Sequence, residues 1–292
     1  MTLVLFGLDV TASAAPGADP VHKARAAERL GLDFVSAPDH PCGATPTYET
    51  WTMLTWIAAS TSRVAVASRV LAVPMRNPAL VAKMAESLHR LSGGRLILGL
   101  GGGHTDAEFR AFGLPVPSAR DKVDGLEDAV RIARRLWTER AVSHPGRVHR
   151  TNHADIEPKP ANRIPIWLGT FGPRALAMTG RLADGWIPSL GSASADQLAA
   201  MRDRVLAAAT EAGRRTADVT CALNLRISTE PAADADITGT PAAVAEQLAG
   251  FVQLGFTAFN LQLPDAGQLE VVAAEIIPAV RAATVGDGLP SR

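Results

Sequence analysis

The chain has 292 residues, 47% hydrophobic and 20% charged, which is ample apolar material for one large core. Lys+Arg and Asp+Glu both number 29, so no net charge draws the protein to nucleic acid or to an anionic membrane, and any anion site must be local. Two cysteines far apart, Cys42 and Cys221, argue against a disulfide framework or a cysteine-rich zinc site and favour a reducing cytoplasm; residues 1–10 lack a basic leader, and no apolar run approaches the roughly 20 residues of a membrane span.

Short β-forming runs alternate with helical patterns along the whole chain, the signature of a parallel sheet with crossover helices. Residues 3–8 read as the first strand. A helix over residues 20–30 follows, with Val21, Ala24, Ala27 and Leu30 at helical spacing and Gly31 at its end. Residues 33–37 make a second strand, 47–60 a helix, and the β-rich run 64–73 a third strand. The next helix starts at Asn77, with Pro78 in its first turn and Leu80, Met84, Leu88 and Leu91 as its buried stripe. Residues 95–100 form a fourth strand running into a glycine cluster; Leu126, Ala129, Val130, Ala133, Leu136 and Trp137 define the fourth helix.

Residues 139–163 break the rhythm with Pro145, Gly146, Pro158 and Pro160 and read as a short insertion. The pattern then resumes: strand 164–168, a helix opening at Pro173, strand 184–188, helix 195–212 and strand 219–228. Thr240-Pro241 caps a helix with Val244, Leu248, Phe251 and Val252 on one face, before strand 258–263 and a last helix over 267–280. The count closes at eight, so the expected fold is an α/β (β/α)8 TIM barrel, one domain over residues 1–292, with a short insertion after the fourth helix and a frayed tail from residue 286.

In such a barrel the working residues stand at the C-terminal ends of the strands. After the second strand comes Pro38-Asp39-His40-Pro41, a carboxylate and an imidazole between prolines that restrict the backbone. An imidazole titrating near neutrality suits the hydroxyl proton that must leave when hydride departs a carbinol carbon, which makes His40 the candidate acid/base. Neighbours in extended chain point to opposite sides, so Asp39 either orients His40 or binds a ring or ribityl group. After the fourth strand, Gly99-Leu100-Gly101-Gly102-Gly103-His104 lacks the third glycine of a dinucleotide fingerprint in either frame, yet Gly101, Gly102 and Gly103 permit close backbone approach to a flat ring or a phosphate. His104, Asp106 and Glu108 can add a proton donor at that rim. After the fifth strand, Gly169, Thr170, Phe171, Gly172, Pro173 and Arg174 run into a helix N-terminus, an anion site that Arg174 can reinforce.

Together these stretches resemble the bacterial luciferase-like superfamily and, within it, the coenzyme F420-dependent oxidoreductases, over most of the chain. Asp39-His40 is similar to the family's Asp-His pair, which implies a histidine beside the deazaflavin ring. Ser68-Arg69-Val70-Leu71-Ala72-Val73-Pro74 resembles the segment carrying a cofactor-backing bulge, often with a non-prolyl cis peptide, here placed at Arg69-Val70 or one residue earlier; the resemblance implies Ser68, Arg69 and Val70 as cofactor residues. The stretches 91–103 and 166–176, with Ala183-Asp184-Gly185-Trp186, carry the likeness furthest, and the family uses the second loop for the cofactor's tail. Two departures stand out. A sugar-phosphate dehydrogenase branch has a glutamate where His104 stands, and Arg69 replaces a smaller residue.

The resemblance therefore implies an F420-dependent oxidoreductase that passes hydride at the deazaflavin C5 to or from a small organic substrate, with catalytic His40, Asp39 and His104 and a homodimeric assembly common among relatives. The alternative is an FMN-dependent monooxygenase of the same superfamily. A reading of another class, a non-redox binding barrel or metal hydrolase, rests on His144, His149 and His153, the last two at helical spacing; the prolines and glycine around them favour a solvated loop, and no metal site is expected. Trp51, Trp56, Met75 and Phe109 are candidates for an apolar wall above the ring, and Cys42 for a small pocket-wall residue.

Overall fold

A computed structural model describes residues 4–265 and 267–286. Eight parallel strands close into a barrel: β1 (Leu5–Asp9), β2 (Phe34–Ala37), β3 (Ala65–Ser68) continued by β4 (Leu71–Ala72), β5 (Leu96–Gly101), then β8 (Ile166–Gly169), β9 (Gly185–Trp186), β10 (Thr220–Ser228) and β12 (Ala258–Gln262). The ring closes through the β9–β10 pairing on one side and β12–β1 on the other. Between the barrel strands lie α1 (Pro20–Arg29), α2 (Thr50–Ser60), α3 (Pro78–Leu91), α4 (Asp106–Ala111), α5 (Ala119–Thr138), α6 (Pro173–Leu182), α7 (Ala195–Glu211) and α8 (Pro241–Gln253). A short strand β11 (Ile237–Thr238) flanks β10, and α9 (Gly267–Val271) continues through one π turn into α10 (Ile277–Gly286). The first strand starts two residues later than its pattern; residue 3 and the tail beyond residue 286 lie outside the described residues.

Local chemistry sets the helix starts. Asn77 accepts from the N–H groups of Ala79 and Leu80 ahead of Pro78, and Thr240 accepts from Ala243 N–H ahead of Pro241. The stripe expected on α3 is only partly right. Leu88 is buried, but Leu80 and Leu91 are 58% and 82% exposed, because the helix turns its small face of Val81, Ala82 and Ala85 inward. Ala82 lets Trp137 of α5 approach closely enough to donate its indole N–H to the Ala82 carbonyl at 2.9 Å.

The insertion is an antiparallel hairpin, β6 (Val142–Pro145) and β7 (Arg150–Ala154), laid on α5. The Asp128 carboxylate accepts from Val148 N–H, His149 N–H and His144 Nε2, and Arg147 pairs with Asp121 and Asp124. The helical spacing of His149 and His153 has no helix behind it, since Pro145-Gly146 turns the chain into the hairpin instead. Among the described residues no group of three or more metal-type side chains could hold an ion.

Most of the core lies between barrel and helices; a second cluster fills the barrel itself with Phe34, Ala67, Trp167, Ile187, Ala222 and Ala258. Phe34 and Trp167 meet edge-on at 5.5 Å. Gly7 and Gly185 make room for these rings, since a Cβ there would come within 2.2 and 2.4 Å of them. Two residues further along the same strands the inward positions become Ser36, Ser189, Asn224 and Asn260, so the apolar plug gives way to a polar floor under the mouth.

Candidate active site

The end of β2 is fixed before any ligand arrives. Thr50 at the start of α2 donates its hydroxyl to the Pro38 carbonyl at 2.5 Å, and the buried Asp39 carboxylate is fully used. Its Oδ2 accepts from Ala72 N–H at 2.9 Å and from Arg76 Nη1 at 2.6 Å, and its Oδ1 from Arg76 Nη2 at 2.9 Å. Burial alone would pull the Arg76 guanidinium down; Asp39 and Glu49 outweigh it and hold it above the usual arginine range. Asp39 does not bond His40; its carboxylate ties β2 to the segment after the bulge.

His40 faces the other way, into the mouth. Its Nδ1 lies 2.8 Å from Glu108 Oε1 on α4, and its ring meets His104 edge-on at 5.5 Å. A carboxylate only accepts, so Nδ1 is the donor in this pair, and the neutral ring then has Nε2 as its acceptor. Asp106 is spent on Lys122 at 2.7 Å. The orienting carboxylate is therefore Glu108, on a helix that no pattern in residues 101–113 announced.

The back wall is the bulge between β3 and β4. The Arg69-Val70 peptide is cis, at the position expected. Val70 packs toward the glycines: a Cβ on Gly101 would lie 2.6 Å from its Cγ2, and one on Gly169 3.2 Å from it. Ser68, expected to touch a cofactor, has its hydroxyl wholly engaged with the Gly99 backbone, donating to the carbonyl and accepting from the N–H, both at 2.9 Å. A Cβ on Gly99 would lie 1.8 Å from the Ser68 carbonyl oxygen. Gly103, at φ +74°, turns the chain over Phe109.

A cavity of about 710 Å³ opens here, lined by Pro38, Asp39, His40, Arg69, Val70, Gly101, Gly102, Gly103, His104, Glu108 and Phe109 on one side and Gly169, Thr170, Phe171, Ile187, Ser189, Ser192, Met201 and Asn224 on the other. Its floor is a chain of hydrogen bonds: Ser36 donates to Asn260 at 2.7 Å, Asn260 to Asn224 at 2.8 Å and Asn224 to Ser189 at 3.0 Å. Sequence reading missed Asn224 and Ser189. The signal was an asparagine inside each of two apolar runs, 221–225 and 258–261. A flat backbone wall, a buried unmatched donor on Arg69 and a cavity of this size fit a planar ring against Val70.

Of the other expected residues, Thr170 turns its hydroxyl onto Thr179, while Gly172, Pro173 and Arg174 lie outside the cavity wall. Arg174 is paired with Asp124. Trp51 is buried in the core, Trp56 sits in an outer groove between α1 and α2, and Met75 and Cys42 are not among the lining residues; only Phe109 of the proposed apolar wall reaches the mouth.

The fold and the site define a barrel built to hold a planar cofactor against a bulge beside a histidine–carboxylate pair. The family model of luciferase-like monooxygenases matches residues 1–237, and the chain belongs to that family. It is 31% identical over 236 residues to an F420-dependent glucose-6-phosphate dehydrogenase of Nakamurella multipartita, covering 77% of this chain and 68% of the relative. A namesake from Kineococcus radiotolerans is 33% identical over 217 residues, covering 70% of this chain and 63% of the relative, so the matches span about two thirds of these proteins. An F420-dependent secondary alcohol dehydrogenase in complex with an F420–acetone adduct superposes with a TM-score of 0.86 at 20% identity, covering 95% of this chain and 99% of that one, which establishes the shared fold.

Proposed function

We propose that the protein is a coenzyme F420-dependent oxidoreductase acting on a small organic substrate, with His40 as its acid/base. The observation that carries this is the His40–Glu108 pair at 2.8 Å inside the cavity formed by the bulge. When bound, the deazaflavin supplies a two-electron hydride acceptor or donor. His40 Nε2 takes the substrate hydroxyl proton in one direction and returns it in the other, and Glu108 holds the ring in the tautomer that does so. Val70, Gly101, Gly102, Gly103, Gly169, Thr170 and Phe171 are the residues that would seat the ring and its first linkage. The first-turn N–H groups after Gly172 and Pro173 would take a phosphate, beside the Arg174–Asp124 pair. His104, edge-on to His40, borders the substrate.

Titration of purified protein with oxidised F420 and, separately, FMN tests the reading: micromolar or tighter F420 binding is expected, and FMN binding without F420 binding overturns it in favour of a flavin monooxygenase. The whole barrel is taken to act as one domain. Among the described residues no helix is long and apolar enough to cross a membrane. Two free thiols accord with a reducing cytoplasm, and the exposed aromatics Trp56 and Tyr48 beside the α1–α2 groove accord with a homodimer, to be measured by sedimentation equilibrium.

A further inference from the structure

Arg69 leaves the bulge in the direction opposite to Val70. Its backbone N–H is bonded to the Ala37 carbonyl of β2, and its side chain crosses the end of that strand to Asp9, the last residue of β1. Arg69 Nη2 lies 2.6 Å from Asp9 Oδ2; the other oxygen of Asp9 accepts from Thr11 N–H at 2.8 Å. Both side chains are inside, with 15% and 2% of their surfaces exposed. Asp9 therefore fixes the guanidinium in place without using all its donors.

Among the buried side-chain polar atoms of the described residues, three lack a partner: the two ring nitrogens of His89 on α3, away from the mouth, and Arg69 Nε, in a residue that lines it. None of the nearby carboxylates serves it: Asp39 accepts from Arg76 and Ala72, Glu108 is turned to His40, and Asp9 accepts from Thr11 and the terminal nitrogen. A buried N–H of a cation is not left unmatched without cost, and charge-assisted bonds to anionic oxygen are the strongest it can make. An acceptor carried by a ligand in the mouth would match it.

We propose that Arg69 is a ligand-binding residue, held by Asp9, that donates its Nε–H to an oxygen bearing full or partial negative charge on the molecule seated in the mouth. That oxygen belongs either to the carbonyl edge of the planar ring or to a carboxylate or phosphate of the substrate. The Arg69 side chain runs to Asp9 at the end of β1, whereas Val70 packs on Gly101 and Gly169, so it adds a contact separate from the glycine wall. The inference rests on the redox reading above only for the identity of the ring.

The test uses two variants. Asp9→Asn with Arg69→Met removes both charges together, so neither is stranded, and Arg69→Lys keeps a cation for Asp9 but loses the Nε–H; melting curves check that each folds. Wild type and variants are titrated with oxidised F420 by its fluorescence and, in a separate arm, with acetate and with inorganic phosphate by calorimetry. Both variants are expected to bind one probe class at least tenfold more weakly, about 1.4 kcal/mol. Loss in the F420 arm alone assigns the acceptor to the ring; loss in the anion arm alone assigns it to the substrate. Affinities within twofold of wild type in both arms overturn the proposal, as does a wild type that binds neither class. A wild type that binds the anions through Arg69 but not F420 sinks the F420 reading and leaves Arg69 as an anion-binding residue.

Discussion

On the β1–β3 side of the mouth the backbone is held by buried ion pairs, Arg76 on Asp39 and Arg69 on Asp9, whereas on the β5–β8 side the wall behind Val70 is glycine backbone, and the one carboxylate that lines the cavity there, Glu108, is turned to His40. The cation expected on that second side, Arg174, stands outside and half exposed on Asp124. The contrast assigns different work to the two sides. Ion pairs fix orientation, which proton transfer needs to within a fraction of an ångström, while bare backbone gives the flat surface that a ring needs.

Breaking the charged side should have the largest effect. Arg76→Met strands the fully buried Asp39 carboxylate and should destabilise the fold by about 3–5 kcal/mol, measured by chemical denaturation. If instead less than about 1 kcal/mol is lost, Asp39 takes up a proton or water readily and the two sides differ less than the geometry states. Next comes His40→Ala, expected to lower turnover about a hundredfold while F420 affinity stays within a few fold; unchanged turnover removes His40 from the chemistry. On the glycine side, Arg174→Ala should weaken F420 binding by less than about 1 kcal/mol, since its exposed pair with Asp124 is worth little and competes with any phosphate. A loss of about 1.5–3 kcal/mol would show that a phosphate draws the guanidinium inward and that this side, too, works by charge.

An effect on stability alone lies at the opposite end of the barrel, where Glu28 accepts from the N–H groups of Ser62, Arg63 and Val64 just before β3. Burial would raise this carboxyl, but the backbone donors prevail and bring it down to about 2. A depressed acid stabilises the fold fully above its ordinary pKa of about 4.3 and loses that stabilisation as pH falls through its folded value. The melting temperature of Glu28→Gln should therefore lie below wild type at neutral pH, with the gap closing between about pH 4.3 and about pH 2. A gap that persists at pH 2 would assign the contact to shape rather than charge.

The alternation of β runs and helical periods made the barrel legible, because each strand's burial and each cap are written locally: Asn77-Pro78, Thr240-Pro241 and Gly31 all stand where the ends fall. The bulge at Arg69-Val70 and the glycine wall were placed through family likeness. What stayed hidden depends on pairings between distant residues. Asp39 and Arg76 are 37 positions apart, His40 and Glu108 68, and Ser36 and Asn260 224. No local period encodes which carboxylate a buried arginine reaches. The α3 stripe misled for a related reason: the choice between its leucine and its alanine faces is made by Trp137 on another helix.

The contact between Ser68 and Gly99 also limits how this enzyme can change. With 1.8 Å between a hypothetical Cβ and the Ser68 carbonyl oxygen, and Val70 pressed against Gly101 and Gly169, almost any substitution along that wall is sterically closed. Variation that survives selection, in nature or in a library, is channelled to the far rim, where Ser192 and Met201 border the cavity outside its floor of hydrogen bonds. New substrate ranges should arise there, on a cofactor seat that stays the same.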